Sequence, residues 1–432
     1  MSAPLTVRGQ RLWRKLAPTV ASFLAEASAK ILAFVFFAVL ARFAGPGVLG
    51  EVRAALSAGQ IAAGIGVPFL TSVSRLGGTI ARGPSAVWSA RALAPLASDL
   101  TGWLFATVLG GVVAGLTFGS ATGSSGAVFL VTIGFGCSYV GTLIPKSYGM
   151  PRTLLLINVV GNAAQLLLLG LLVVGLPEAV TVNVVIVVYA CAFIVPVVAS
   201  KSLRAFTRLR VTEIKTLVRE VLVRRREYLS QFSQHISHVL MVNLDLLVLS
   251  VVASSETVGE YAAVKSIVMI VLLPATALFH LLLPAAVRRF DGTTTSEDQH
   301  ILWAGVAGIA VAGAVAFVLG DAIMATLYGP RFAGLGPAVA WGAIGAALYG
   351  VSLLRGAVWI ARGEAGAFSA IVAGAAILGA VFLFLFPTLA TTFGAARVWA
   401  IIGACLAATL GVLDLRHARR LLAGTVRGPV DG

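Results

Sequence analysis

Apolar residues run for about twenty positions at a time along this chain, and short polar breaks divide the runs. A helix of roughly 20 apolar residues spans the ~30 Å hydrocarbon core of a bilayer. The pattern therefore predicts membrane-crossing helices near residues 17–40, 48–72, 99–119, 127–145, 153–175, 182–199, 229–252, 258–285, 299–319, 337–361, 366–387 and 394–413. The expected fold class is all-α integral membrane, with about twelve transmembrane helices. The second span is the least apolar, with Glu51, Arg53, Ser57 and Gln60 near its start. Arg8, Arg11, Arg14 and Lys15 precede the first run in the manner of a secretory signal. That run is too long for a signal core and carries Glu26 and Lys30, so it reads as an uncleaved first span.

Composition agrees. The chain is 59% hydrophobic and 11% charged, whereas soluble domains hold about 45–50% apolar and about 25% charged residues. Its net charge of +15 would suit nucleic acid, but the basic residues lie between spans, where they report orientation instead. Of 32 Lys and Arg, 25 fall on one set of alternate segments and only Arg42, Arg53, Arg331 and Arg397 on the other. Lys30, Lys265 and Arg355 are left inside spans. Both termini are thus expected in the cytoplasm, and no nucleic-acid partner is expected. Arginine (26) far exceeds lysine (6), the usage of a GC-rich bacterial genome, and the expected location is the bacterial cytoplasmic (inner) membrane. Cys137, Cys191 and Cys405 sit inside apolar runs without metal spacing and read as small buried hydrophobes.

The expected organisation is a cytoplasmic N-terminal segment (1–16), an N-lobe (17–199), a basic linker (200–228), a C-lobe (229–413) and a cytoplasmic tail (414–432). The linker carries nine basic and three acidic side chains. Leu203, Phe206, Ile214, Leu217, Val218 and Val221 recur in it at helical spacing. That suits an amphipathic helix on an anionic leaflet as well as a plain connector between halves. The halves also share a register. Gly50-Glu51 after the first span matches Gly259-Glu260 after the seventh, 209 residues on, and Ser57 falls on Ser266. The proline breaks Pro68 and Pro274 lie close in that register. Six spans per half, an even number, make the repeats parallel.

Two stretches carry a family likeness. ILAFVFFAVLARFAGPGVLGEVRAALSAGQIAAGIGVPFLTSVSRLGG and NLDLLVLSVVASSETVGEYAAVKSIVMIVLLPATALFHLLLPAAVRR resemble two hairpins, the first and the seventh-eighth, of the polysaccharide-transporter family. O-antigen flippases belong to it, within the multidrug/oligosaccharidyl-lipid/polysaccharide (MOP) flippase superfamily. Asp245, the Val258-Gly259-Glu260-Tyr261 turn and Pro284 fall where that family has equivalents; Leu327-Tyr328-Gly329 with Phe332 and Ala333 is a weaker likeness. Val52 lacks the aromatic that Tyr261 supplies in the second half. The resemblance implies two V-shaped six-helix lobes, as in MATE proteins of that superfamily, around a central cavity. It implies alternating access that turns a polyprenyl-pyrophosphate-linked oligosaccharide from the cytoplasmic to the periplasmic leaflet, for cell-surface polysaccharide biosynthesis. Coupling to H+ or Na+ without a bound cofactor follows from the same likeness, as do membrane lipids and polysaccharide-biosynthesis enzymes as partners.

A charge at the bilayer centre costs at least about 2.5–3.5 kcal/mol, so intramembrane polar groups are the candidate site. Glu26 and Lys30 share a helix face and read either as a structural bridge or as a coupling-ion carboxylate beside a phosphate-binding ammonium. His235, His238, Asn243 and Asp245 crowd the seventh span. His235 and His238 read as a proton relay or as interfacial hydrogen-bonders; no metal set is completed, and Asp245 lies deeper as a coupling-ion candidate. Lys265 and Arg355 would offset a pyrophosphate's charge in a cavity, unless Arg355 snorkels to the surface. Asn158, Asn162 and Gln165 form a stripe that either glues helices or meets sugar. Ala304, Gly308, Ala312 and Ala316 form a small-residue packing seam. A multidrug or other secondary transporter of the same superfamily is the alternative; a glycan polymerase, ligase or acyltransferase fits less well. The outer loops are short and lack histidine, GSATGSSG and SSET offer serines without a base, and no nucleotide-binding or metal motif occurs. The loop SRLGGTIARGPSAVWSARALAP also lacks the acidic-basic motif expected of a major-facilitator carrier. A transporter and not an enzyme is the expectation.

Overall fold

A computed structural model describes residues 4–70, 96–119, 125–147, 151–199, 222–276, 278–279 and 296–426. Most of the predicted linker, residues 200–221, lies outside them, as do 71–95 and Pro284. The described residues form helices and turns without a strand. In chain order the helices are α1 (Pro4–Gly64), α2 (Leu96–Phe118), α3 (Ser125–Ser147), α4 (Pro151–Gly175) and α5 (Val182–Ala199). There follow α6 (Arg225–Val252), α7 (Ser255–Val271), α8 (Ser296–Ile323), α9 (Gly336–Ala361), α10 (Ala365–Leu385) and α11 (Thr392–Val426). Among the described residues, nine helices are long and apolar enough to cross a bilayer. One of these, α1, is bent at Gly45 and supplies the first two predicted spans, while the shorter α5 and α7 fill the places of the sixth and eighth. Residues such as Leu116, Val174 and Val318, 78%, 85% and 75% exposed, point outward where water would be costly. The chain is a multi-pass membrane protein.

The bend in α1 has a local cause. Gly45 adopts φ 83°, a conformation an L side chain resists, and a Cβ there would lie 3.0 Å from the Arg331 guanidinium. One segment thereby becomes a hairpin of two limbs, 4–44 and 46–64. A second break precedes each predicted proline: turns at Ile65–Gly66 and at Leu272 lead into Pro68 and Pro274.

Helices α1–α5 pack on one another, as do α6–α11, and the two groups meet chiefly where α1 packs against α7 and α6. The repeat is written into that meeting. A Cβ on Gly50 would run into the Ser255 carbonyl, and one on Gly259 into the Pro46 carbonyl. Pro46 and Ser255 are separated by the same 209 positions as Gly50 and Gly259. The contact is therefore reciprocal about an axis between the halves. A further match closes the fifth and eleventh spans, where one-turn 3-10 helices at Pro177–Ala179 and Pro387–Leu389 follow α4 and α10.

Three expectations are corrected. Helix α8 runs to Ile323 and continues as a π-helical turn, Met324–Tyr328, past the predicted end at 319. Of the predicted seam, Gly308, Ala312 and Ala316 face protein, whereas Ala304 faces outward, and Gly305, Ile309 and Gly320 complete the buried face. Gly305 faces Leu354 of α9, and Gly308 faces Pro274. Cys405 is exposed on α11 instead of buried, while Cys137 and Cys191 are half-buried. An apolar neighbour for Cys405 is supplied by lipid, which hydropathy does not distinguish from protein interior.

Candidate functional site

The helix ends at Gly45, Gly119, Gly175, Val252, Tyr328 and Leu385 lie on one side of the bundle, called here the Gly45 end; the other is the termini end. Between the halves, in the part nearer the termini end, lies a cavity of about 310 Å³. Its polar wall is Lys30 of α1, Ser138 and Thr142 of α3, Asn158 and Asn162 of α4, His238 of α6 and Thr276. Tyr189 and Phe193 of α5 form an aromatic part of it, with no carboxylate among the described lining residues.

Each polar group is held by its own helix or by a neighbour. Lys30 is exposed within the cavity and donates to Thr276 Oγ1 at 3.2 Å, which joins the two halves. Asn162 Nδ2 donates to the Asn158 carbonyl at 2.6 Å, a helix-internal bond that leaves its amide oxygen directed elsewhere. Gln165, the third of that stripe, donates to the Tyr189 carbonyl at 3.2 Å and ties α4 to α5. The stripe is divided: glue at Gln165, cavity wall at Asn158 and Asn162. His238 Nδ1 lies 2.7 Å from the Tyr349 hydroxyl of α9.

His235 lies nearby but in another setting. Its ring packs edge-on to Tyr139 of α3 at 5.1 Å, across the seam between the halves, and its buried Nε2 has no hydrogen-bond partner. The pair His235 and His238 is therefore split between a seam contact and a cavity wall. Among the described residues no group of three metal-ligating side chains occurs.

Behind the cavity, toward the Gly45 end, is a closed electrostatic cluster. Lys265 of α7 is 1% exposed and donates to both oxygens of Asp245 on α6. Tyr261 donates to Asp245 Oδ2 at 2.5 Å, and the Leu246 N–H to Oδ1 at 2.8 Å. The Lys265 ammonium also lies 4.8 Å from the Trp399 ring centre and 5.6 Å from that of Tyr261. Arg53 sits within electrostatic range of both Asp245 and Lys265. Its guanidinium covers the Phe37 ring at 4.4 Å, and its buried Nε finds no acceptor. Charge counting along the sequence places Arg53 in an outer loop. It is instead a half-buried cation on the second limb of α1, identifiable in advance only by its position inside the predicted span 48–72.

The cluster and the cavity are separated by aromatic side chains. Tyr349 packs edge-on to Trp399 at 6.0 Å, and Phe37 stacks on Tyr189 at 6.1 Å. Lys265 and Asp245 therefore do not line the cavity with Lys30. Arg355 does not line it either. Its Nε lies 3.9 Å from Asp414 of α11, beside Arg362 at 3.8 Å and the Trp359 indole N–H at 2.9 Å from the same carboxylate. It is 40% exposed at the α9–α11 surface, where such a pair contributes about 0–1 kcal/mol. Arg355→Ala is expected to leave transport within about twofold and stability within about 1 kcal/mol, checked by a reconstituted transport assay and a thermal shift. The side chain of Glu26 lies outside the described residues, so its pairing with Lys30 is outside them too.

The Gly45 end is closed over this cluster. Arg42 donates across the halves to the Thr326 carbonyl at 2.8 Å, and within the second half Thr392 donates to Glu260 at 2.8 Å. Phe34 packs edge-on to Tyr328 at 5.8 Å, which places the Leu327-Tyr328-Gly329 turn against α1. Asp321 caps the following turn by accepting from Gly334 N–H at 2.8 Å and Gly336 N–H at 3.2 Å.

No family model matches the chain, and no curated protein sequence does. Solved structures do. The fold is similar to an inward-facing multidrug-resistance MATE transporter of the MOP superfamily, with TM-score 0.64 and 14% identity over 92% of this chain and 96% of that one. It is similar to the MATE multidrug transporter DinF-BH, with TM-score 0.60 and 17% identity over 96% of each chain. It is also similar to the lipid II flippase MurJ in an inward closed conformation, with TM-score 0.58 and 11% identity over 93% of this chain and 87% of that one. At these identities the likeness is one of fold.

Proposed function

We propose that this chain is a flippase that carries a polyprenyl-pyrophosphate-linked oligosaccharide between the leaflets of a bacterial inner membrane. The observation that carries the reading is the cavity wall: one accessible ammonium, Lys30, among hydroxyls and amides, with no carboxylate among the described lining residues. An ammonium attracts a phosphate, amides and hydroxyls bond sugar oxygens, and a cationic drug would find no counter-charge among the described lining residues. The volume sits at the lower end of the roughly 300–1,000 Å³ that ligand sites span, enough for the charged group at the lipid-sugar junction and not for a whole glycan. Proteins of similar fold include a lipid II flippase as well as multidrug transporters, so the fold is compatible with a lipid-linked cargo and the cavity wall carries the choice.

The cavity lies toward the termini end and the Gly45 end is closed. Charge counting places the termini in the cytoplasm. Cargo then enters from the cytoplasmic leaflet, and release needs the Gly45 end to part, which is alternating access. Lys30 meets phosphate, Asn158 and Asn162 meet the first sugar, and His238 stands opposite across the seam.

Reconstitution into liposomes tests this. A polyprenyl-pyrophosphate glycan placed in one leaflet should become accessible to an impermeant probe on the other side faster than in protein-free liposomes. Equal rates would overturn the proposal.

A further inference from the structure

We infer that Lys265 is the permanent counter-ion of Asp245, so that this half-buried carboxylate binds no coupling metal cation. The ammonium of the chain itself stands where a Na+ carrier would need to place its ion.

Hydrogen-bond capacity decides the point. An ionised carboxylate offers about four lone-pair sites. At Asp245 four donations fill them: two from Lys265, one from the Tyr261 hydroxyl and one from the Leu246 N–H. The ammonium is equally occupied, with two bonds to the carboxylate and the Trp399 and Tyr261 rings around it. A metal cation could enter only by displacing the lysine, whose charge would then be stranded at 1% exposure.

The surroundings offer nothing in exchange. The space beside Asp245 is a void of about 20 Å³, little more than a single water needs. Apart from Asp245 its described lining is apolar, with Met241, Gly379, Leu383, Val398 and Trp399 among the wall. Hard cations require several oxygen ligands, and Asp245 is the one carboxylate among the described lining residues. Arg53 adds a second positive charge within range of Asp245, which repels a third.

The test uses the purified full chain and no cargo, so its outcome is independent of the flippase proposal. The wild-type thermal midpoint should agree within about 1 °C between NaCl and choline chloride at equal ionic strength, since a ligand without a site cannot shift it. Lys265→Ala strands Asp245. Its midpoint should fall and then rise saturably with methylammonium, which refills the vacated position. The double variant Asp245→Asn with Lys265→Met removes both charges at similar volume; it should fold and ignore both cations. A saturable Na+-specific rise in the wild-type midpoint that Asp245→Asn abolishes would overturn the inference. So would a folded Lys265→Ala that methylammonium does not stabilise. Should Lys265→Ala not fold, the Na+ comparison of wild type with the double variant decides alone: indifference in both supports the inference, and a rise confined to the wild type defeats it.

Discussion

Gly259→Ala is expected to destabilise the protein by about 3 kcal/mol and to spring open the Gly45 end, because its methyl group has nowhere to go. The obstacle is the Pro46 carbonyl, a backbone group in the bend of α1 that no rotamer change can move aside. Overpacking of a tight contact costs typically about 1–3 kcal/mol and occasionally more, and a backbone obstacle belongs at the upper end. Gly50→Ala should behave alike, because the Ser255 carbonyl stands in the same relation to it. A thermal shift reads the stability. Opening is read by a single cysteine at Val258, 1% exposed at the crossing, in a background without Cys137, Cys191 and Cys405. Maleimide should label it in the Gly259→Ala variant and not in the parent. Unchanged labelling together with an unchanged midpoint would mean that the crossing is not a tight seal.

Lys30→Gln is expected to slow transport roughly 10- to 100-fold while leaving the fold intact. A hydrogen bond to a charged group contributes about 1.5–3 kcal/mol, and each ~1.4 kcal/mol is a factor of ten. Glutamine keeps an N–H donor on the Thr276 side, one bond shorter than lysine, and removes the charge. Lys30→Arg should restore much of the rate, since guanidinium also binds phosphate. Liposome flipping rates measure both, with midpoints as the control. A Lys30→Gln protein that flips as fast as wild type would remove Lys30 from the cargo path.

The spans and the repeat were legible because both are one-dimensional. Lipid demands long apolar runs wherever the chain crosses, and a shared register needs only matching positions such as Gly50 and Gly259. The site was legible in part. Lys30, Asn158, Asn162 and His238 were readable as polar residues inside spans, and they share one cavity. Which way each faces was not readable. Lipid and protein interior are equally apolar, so a membrane helix carries a weak amphipathic signal, and Arg355 looked like a cavity cation when it lies against Asp414 on the outside. The Asp245–Lys265 pair joins α6 to α7 across 20 residues, and no short-range spacing announces such a pair. Arg53 is misplaced by charge counting for the opposite reason: beside Glu51, a polar helix start counts as a loop although it lies inside the predicted span, and the Phe37 ring beneath it shows the helix position.

The reciprocal crossing of Pro46–Gly50 and Ser255–Gly259 also bears on ancestry. It is the contact that two copies of one six-helix chain would make with each other, each glycine seated on its partner's carbonyl. The two 3-10 turns after α4 and α10 repeat the same plan. The present chain thus keeps the geometry of a homodimer inside one polypeptide, as fusion after gene duplication would leave it. The halves differ within that shared register: Lys265 stands opposite Asp245 in the second, whereas its counterpart 209 residues earlier is the apolar Leu56.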